Sequence, residues 1–129
     1  MILVDSSVFI ALADRKDQWH TKALGLTDLL DHEPIVISDL IISEVLTVIG
    51  KRSGGKAGKQ LYDYFIDNCR IIYADEKVLE GAIPVFVKYD GKLSVSDAIS
   101  VHIMSLKNIQ KILSFDSDFD KVEGLSRIF

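Results

Sequence analysis

Four carboxylates in this 129-residue sequence stand in apolar surroundings, where a charge is costly. Asp5 is the only charge in the first thirteen residues, and it ends the run Ile2-Leu3-Val4. Glu44 lies inside Leu40–Ile49, and its helical neighbours three and four residues away are Leu40, Ile41, Thr47 and Val48. Asp97 shares a helical face with Ser100, Val101 and Met104. Asp116 follows Leu113-Ser114-Phe115. An unpaired buried carboxylate costs several kcal/mol even after relaxation. None of the four segments carries a Lys or Arg close by on the same face. A hard divalent cation such as Mg²⁺ or Mn²⁺ prefers carboxylate oxygen and meets that demand. Clamped there, it would hold a phosphate and lower the pKa of a bound water.

Each acid also has a simpler role open to it. Asp5 can cap the helix that follows. Asp97, three residues after Ser94, fits a capping box. Glu44 is too far into its helix to cap, and its simpler role is a buried ion pair with a distant cation such as Arg70. Asp116, Asp118 and Asp120 can form a solvated acidic loop. The metal reading therefore rests on all four acids meeting in one fold.

Bringing them together is the task of the surrounding elements. Short apolar runs at Ile2–Val4, Ile35–Ile37, Arg70–Tyr73 and Lys111–Ser114 read as buried strands, with a small final strand at 125–129. Helices are expected from Ser6 or Ser7 to Ala13, over Asp17–Leu30, and from Ser38 or Asp39 to a stop at Gly50. Others are expected over Lys56–Asn68, from Asp75 with a kink or split at Pro84, and from Ser94 or Ser96 to Leu106. Such alternation implies an α/β fold: a three-layer α/β/α sandwich around a mostly parallel sheet of four or five strands. Asp5 and Asp116 both follow strands, which places them at one sheet edge, where open α/β sheets bind ligands. Glu44 and Asp97 would lean over that edge from helices.

Composition bounds the rest. With 48% apolar and 26% charged residues, the chain has the makeup of a folded protein. Its length predicts one domain over 1–129. The single Cys69 excludes an intrachain disulfide and a cysteine-based zinc site. No run approaches the roughly 18 apolar residues of a membrane span, and the N-terminal run lacks the basic start of a signal peptide. A cytosolic location is expected. Against a net charge of −4, Lys51, Arg52, Lys56 and Lys59 fall in one Gly-rich tract without an anion. That tract is a candidate for tracking a nucleic-acid backbone, or else a solvated helix connection. His20, His32 and His102 show no metal-ligand spacing, and Trp19 and the tyrosines read as packing residues.

In order along the chain, Ile2-Leu3-Val4-Asp5-Ser6-Ser7, Ser38–Val45 around Glu44, Ser94-Val95-Ser96-Asp97-Ala98 and Ser114-Phe115-Asp116-Ser117-Asp118-Phe119 resemble the motifs of PIN-domain ribonucleases. The likeness is greatest to VapC-like toxins of toxin–antitoxin pairs. Ser114 stands where a threonine is commoner, which keeps the hydroxyl. The resemblance implies a Mg²⁺- or Mn²⁺-dependent endoribonuclease, with Asp5, Glu44, Asp97 and Asp116 as the catalytic and metal-binding acids and Asp118 as a further metal ligand. It also implies an RNA substrate, a cognate antitoxin and a homodimer. Two other readings stay open. One is a non-catalytic PIN-like module that binds RNA or serves as a scaffold. The other is a phosphoacceptor receiver-like domain, although Ser6-Ser7 replaces the paired acids that chemistry wants and Lys111 precedes its strand.

Overall fold

A computed structural model describes all residues, 1–129. The chain runs β1 (Ile2–Val4), α1 (Ser6–Ala13), α2 (His20–Leu24), α3 (Thr27–His32), β2 (Ile35–Ser38), α4 (Asp39–Ser53) and α5 (Gly55–Asn68). It continues through β3 (Cys69–Ile72), α6 (Glu76–Lys88), α7 (Val95–Lys107), β4 (Lys111–Leu113), a 3₁₀ turn at Ser117–Lys121 and β5 (Ser126–Ile128). The five strands form one sheet in the order β3-β2-β1-β4-β5, and every pairing is parallel. The sheet is thus five-stranded and wholly parallel, the larger of the two sizes expected.

Right-handed crossovers explain the layers. The chain steps outward from β1 to β2 to β3, so α1 to α5 share one face of the sheet. It then returns across β1 to β4 and β5, which puts α6 and α7 on the other. Helix contacts agree: α1 packs on α2 and α4, α4 on α5, and α6 on α7. Residues of β1, β2 and β4, buried on both faces, form the centre of the core with Phe9, Ile41, Val45, Ile49, Phe65, Ile99 and Ile103. The step reversal falls between β1 and β4, so the carboxyl ends of those two strands border the switch point of the sheet.

Three helices depart from the sequence expectation. The segment 17–30 is not one helix. Asp14 and Asp17 accept backbone N–H bonds from Lys16 and Trp19, both at 2.9 Å, and hold this stretch in turns. Gly25 then separates α2 from α3. The helix expected to stop at Gly50 runs on to Ser53, because the left-handed break is made by Gly54 (φ 92°). Pro84 neither splits nor ends α6. It lies on an exposed stretch, where the carbonyl it leaves unbonded meets water. Caps fall where expected: Ser38, Asp75 and Ser94 accept the N–H of Ile41, Val78 and Asp97.

The two glycines make the boundary of α4 testable. Gly50→Ala, in a helix interior with open space around the added Cβ, should raise stability by about 0.5–1 kcal/mol. Gly54→Ala, at positive φ, should lower it by about 1–3 kcal/mol. Urea denaturation reads both, and equal effects at the two positions would overturn the boundary.

Candidate active site

The site is built outward from Asp5, the residue after β1. Its side chain is 6% exposed, yet no cation reaches it. Two serine hydroxyls take that role. Ser114 Oγ donates to Asp5 Oδ2 at 2.8 Å, and Ser7 Oγ donates to the same oxygen at 3.0 Å. Each hydroxyl also accepts a backbone N–H from the loop after β4: Asp116 to Ser114 at 3.0 Å and Phe115 to Ser7 at 3.1 Å. The Asp5 backbone N–H bonds the Leu113 carbonyl at 2.9 Å. These bonds stitch the end of β1 to the end of β4 and fix Asp116 beside Asp5. Asp5 occupies the cap position of α1, but its carboxylate makes no cap bond. The simpler role for it is therefore not the one it plays.

Asp97 arrives from the opposite layer, in the first turn of α7. Ser94 Oγ accepts the Asp97 N–H at 3.0 Å, which is half of a capping box. No bond returns to the Ser94 N–H, so the carboxylate is left for the site. Burial pushes the Asp97 carboxyl up to about 7. The negative charge of Asp5 adds to that rise, followed by those of Asp116 and Glu44, while Ser94 partly offsets it. Asp5 is also raised, first by burial and last by Glu44, against the hydroxyls of Ser114 and Ser7 and the backbone of Ser6. The charges of Asp5, Asp116 and Glu44 thus converge on Asp97, and that of Glu44 also reaches Asp5.

The degree of burial differs from the sequence reading. Only Asp5 is buried; Asp97 and Asp116 are half-buried and Glu44 is exposed. The core stripe of α4 is Ile41, Ile42, Val45 and Ile49, and Glu44 falls off it toward the open edge. No ion pair involves Asp5, Glu44, Asp97 or Asp116, so the pairing of Glu44 with Arg70 does not occur. Asp118 does have a cation, Lys121 at 3.0 Å, and its N–H donates to Asp116 Oδ1 at 2.9 Å. Asp120 is held by Arg127 through two bonds of 2.7 and 3.0 Å. Elsewhere acids find partners readily: Asp14 with Arg52, Asp63 with Lys59, and Glu33 with Lys111 and the amino terminus. Arg127 donates to the Ser114 carbonyl at 3.1 Å and its charge and that of Asp116 attract, but it forms no ion pair with any of the four acids.

An all-oxygen, anionic donor set in which Asp5, Glu44, Asp97 and Asp116 form no ion pair suits a hard divalent cation. As the side chains are posed, no three acidic, histidine or cysteine residues surround a common point closely enough to hold one ion. Asp97 feels the charge of its acidic neighbours without sharing a coordination sphere with two of them. The histidines take no part: His20 Nδ1 donates to the Ala11 carbonyl at 2.7 Å, His32 Nδ1 to that of Asp28 at 2.7 Å, and His102 packs against Gly81.

The basic tract lies away from this edge. α1 and α4 both start at the carboxyl ends of strands, and at 1.5 Å per residue α4 carries its last turn about 20 Å off. Arg52 there pairs with Asp14, just past the end of α1, at 2.8 Å and with Asp17 at 3.7 Å. With Lys59 held by Asp63 at 2.9 Å, only Lys51 and Lys56 of the four are unpaired. The tract forms the elbow between α4 and α5, which favours the solvated helix connection over backbone tracking.

A family model described as "PIN domain" matches residues 2–125. The chain belongs to the PIN domain family. It is 30% identical over 122 residues, 92% of each chain, to the 23S rRNA-specific endonuclease VapC20 of Mycobacterium tuberculosis. The crystal structure of that VapC20, described as a Sarcin-Ricin loop cleaving toxin, superposes with a TM-score of 0.85 at 26% identity and covers 97% of both chains. A toxin–antitoxin complex from Klebsiella pneumoniae shares the fold, with a TM-score of 0.71 at 20% identity over 98% of this chain and 96% of that one.

Two measurements check the site. Because Asp97 holds its proton up to about pH 7 when folded, against 3.8 ordinarily, the folded state binds that proton more tightly than the unfolded one. The resulting stabilisation is full below about pH 4 and is lost as pH rises through about 7. In EDTA at pH 8, Asp97→Asn should raise Tm by about 4 °C. That corresponds to about 1 kcal/mol once solvent screening of this half-exposed group is allowed for. At pH 4 it should leave Tm nearly unchanged, and an equal shift at both pH values would contradict the assignment. Ser114→Ala strips a donor from buried Asp5 and orphans the Asp116 N–H. It should lower stability by about 1–3 kcal/mol in urea melts.

Proposed function

We propose that this chain hydrolyses RNA phosphodiester bonds with Mg²⁺ or Mn²⁺ at the switch point of its sheet. The chain is a PIN ribonuclease of the VapC toxin type. Asp5, Asp97 and Asp116 would hold the ion, with Asp118 as a further ligand once released from Lys121. The ion, when bound, supplies Lewis-acid polarisation of the scissile phosphate and neutralises its charge. Ser7 and Ser114 fix the Asp5 carboxylate, so it need not reorganise when loaded. Glu44, exposed at the rim, is suited to orienting the attacking water. The observation that carries the reading is the convergence of the charges of Asp5, Asp116 and Glu44 on Asp97, with no ion pair formed by any of the four.

The finer assignments follow the relatives. VapC20 makes a ribosomal RNA loop the first substrate to try, and likeness to a toxin–antitoxin complex supports a cognate antitoxin. A homodimer has support in the exposed stripe Leu79, Ile83 and Val87, spaced one helical turn apart on α6. No helix is long and apolar enough to cross a membrane, and we place the protein in the cytoplasm as a single nuclease domain over 1–129. The receiver-like alternative gains nothing from the structure, since Lys111 is engaged by Glu33.

Incubation with a mixed RNA pool and a 23S rRNA fragment should yield cleavage in Mg²⁺ or Mn²⁺ and none in EDTA. Asp5→Asn should cut kcat at least about 100-fold, the scale of losing one preorganised charged group in a site. RNA bound with no turnover by the wild type would favour the non-catalytic module. Cleavage that survives both EDTA and Asp5→Asn would remove the acids from the mechanism.

A further inference from the structure

An acidic site that cleaves an anionic polymer needs something nearby to hold the substrate, and the basic elbow is too far away. The structure offers a different candidate beside the loop after β4. Trp19, the sole tryptophan, stacks on Phe115 with ring centroids 5.3 Å apart and planes 12° from parallel. Phe115 lies between Ser114 and Asp116, and its N–H is bonded to Ser7, so the indole is coupled directly to the acid cluster. A packing role predicts burial, yet Trp19 remains 37% exposed. Its position is fixed by the turn in which its N–H donates to Asp17 Oδ1 at 2.9 Å.

One helical turn on, Lys22 places its Nζ 5.8 Å from the Trp19 ring and 4.5 Å from the Phe129 ring. No carboxylate pairs with it. Phe129 is itself 52% exposed and is backed by the Arg127 guanidinium at 3.8 Å. That guanidinium is already committed to Asp120 and, at 3.1 Å, to the Ser114 carbonyl. Lys22 is therefore a cation without an anion, held between two aromatic rings next to the site. A partly exposed indole with an adjoining ammonium in no ion pair is an arrangement that can receive an unpaired nucleotide, once the long Lys22 side chain swings from the ring to a phosphate: the base stacks and the phosphate meets the charge.

We propose that Trp19 and Lys22 form a subsite for one unpaired nucleotide flanking the scissile phosphate, the base lying on the indole and its phosphate on the Lys22 ammonium. The proposal rests on the ribonuclease reading and deepens it. It predicts a preference for single-stranded or looped RNA over duplex, whose bases are not free to stack on protein.

Because Trp19 is the only tryptophan, its emission reports on this position alone. The wild-type chain would be titrated with a short, mixed-sequence, end-labelled single-stranded oligoribonucleotide, with Ca²⁺ in place of Mg²⁺. Label anisotropy gives binding and indole emission gives stacking. Saturable quenching that tracks the anisotropy is expected. In cleavage assays Trp19→Ala should raise KM about 5- to 150-fold, the range of a lost base–aromatic stack, with kcat within about twofold. Trp19→Phe should recover most of the loss, and Lys22→Ala should raise KM several-fold where Lys77→Ala on α6 does not. Thermal melts of each variant separate folding from binding.

Binding without quenching, or a Trp19→Ala variant that melts normally with wild-type KM, would overturn the subsite and leave the ribonuclease reading standing. Quenching and binding without any cleavage in Mg²⁺ or Mn²⁺ would overturn the ribonuclease reading, and Trp19 and Lys22 would then hold a nucleotide of bound RNA without flanking a scissile phosphate. Absence of RNA binding would overturn both.

Discussion

A buried carboxylate answered by hydroxyls in place of a cation is the constraint on which this structure turns. Asp5 is desolvated at the end of a strand buried on both faces. Two serines supply partial positive charge to one of its oxygens, but neither neutralises it. The same hydroxyls accept N–H groups from the loop after β4, so the bonds that make Asp5 tolerable also set the position of Asp116. Stability and chemistry are thus coupled through four short contacts. A fold that merely needed a cap at this position would have no reason to sequester the charge.

Parallel strand order makes the coupling possible. Consecutive strands on either side of β1 leave the chain at the same edge, and the step reversal opens a gap between the helices of the two layers. Asp97 enters that gap from α7 and Glu44 borders it from α4. Their charges stay unpaired because no cation comes within ion-pair distance of them, and the nearby cations answer other acids. Lys111 and the amino terminus serve Glu33, Arg52 serves Asp14, and Arg127 serves Asp120. A strong local negative potential attracts divalent ions and repels bare phosphate. It follows that substrate affinity has to come from the bound ion together with groups outside the acid cluster. Trp19, stacked on Phe115 beside the cluster, and Lys22 next to it are groups of that kind.

The arrangement also explains why a single motif says little here. Ser94 caps α7 whether or not Asp97 reaches the site, and the Asp116–Asp118 turn would form in any solvated loop. What separates function from local structure is that Asp97, once its backbone has satisfied these local rules, feels the charges of Asp5, Asp116 and Glu44 from other elements.

Much of the fold was legible in the sequence because its signals are local. Apolar runs marked β1, β2 and β4, serine and aspartate marked the starts of α4, α6 and α7, and strand–helix alternation implied a parallel sheet. The order of acidic motifs singles out Asp5, Glu44, Asp97 and Asp116 as candidates, and packing decides which of their charges act on Asp97. Other features depend on what packs against what. Asx turns at Asp14 and Asp17 outweighed helical propensity and divided 17–30; Gly54, in place of Gly50, ended α4 because only its backbone turns left-handed. Glu44 proved exposed because the neighbours along its helix are not its neighbours in the core. The basic tract moved away from the chemistry through the length of α4, while Trp19 moved to it by stacking on Phe115, 96 positions further along the chain. Sequence determines which groups carry charge and where strands and helices begin, since those are properties of adjacent residues. Distance between remote groups, and with it desolvation, repulsion and pairing, is set only when the layers close.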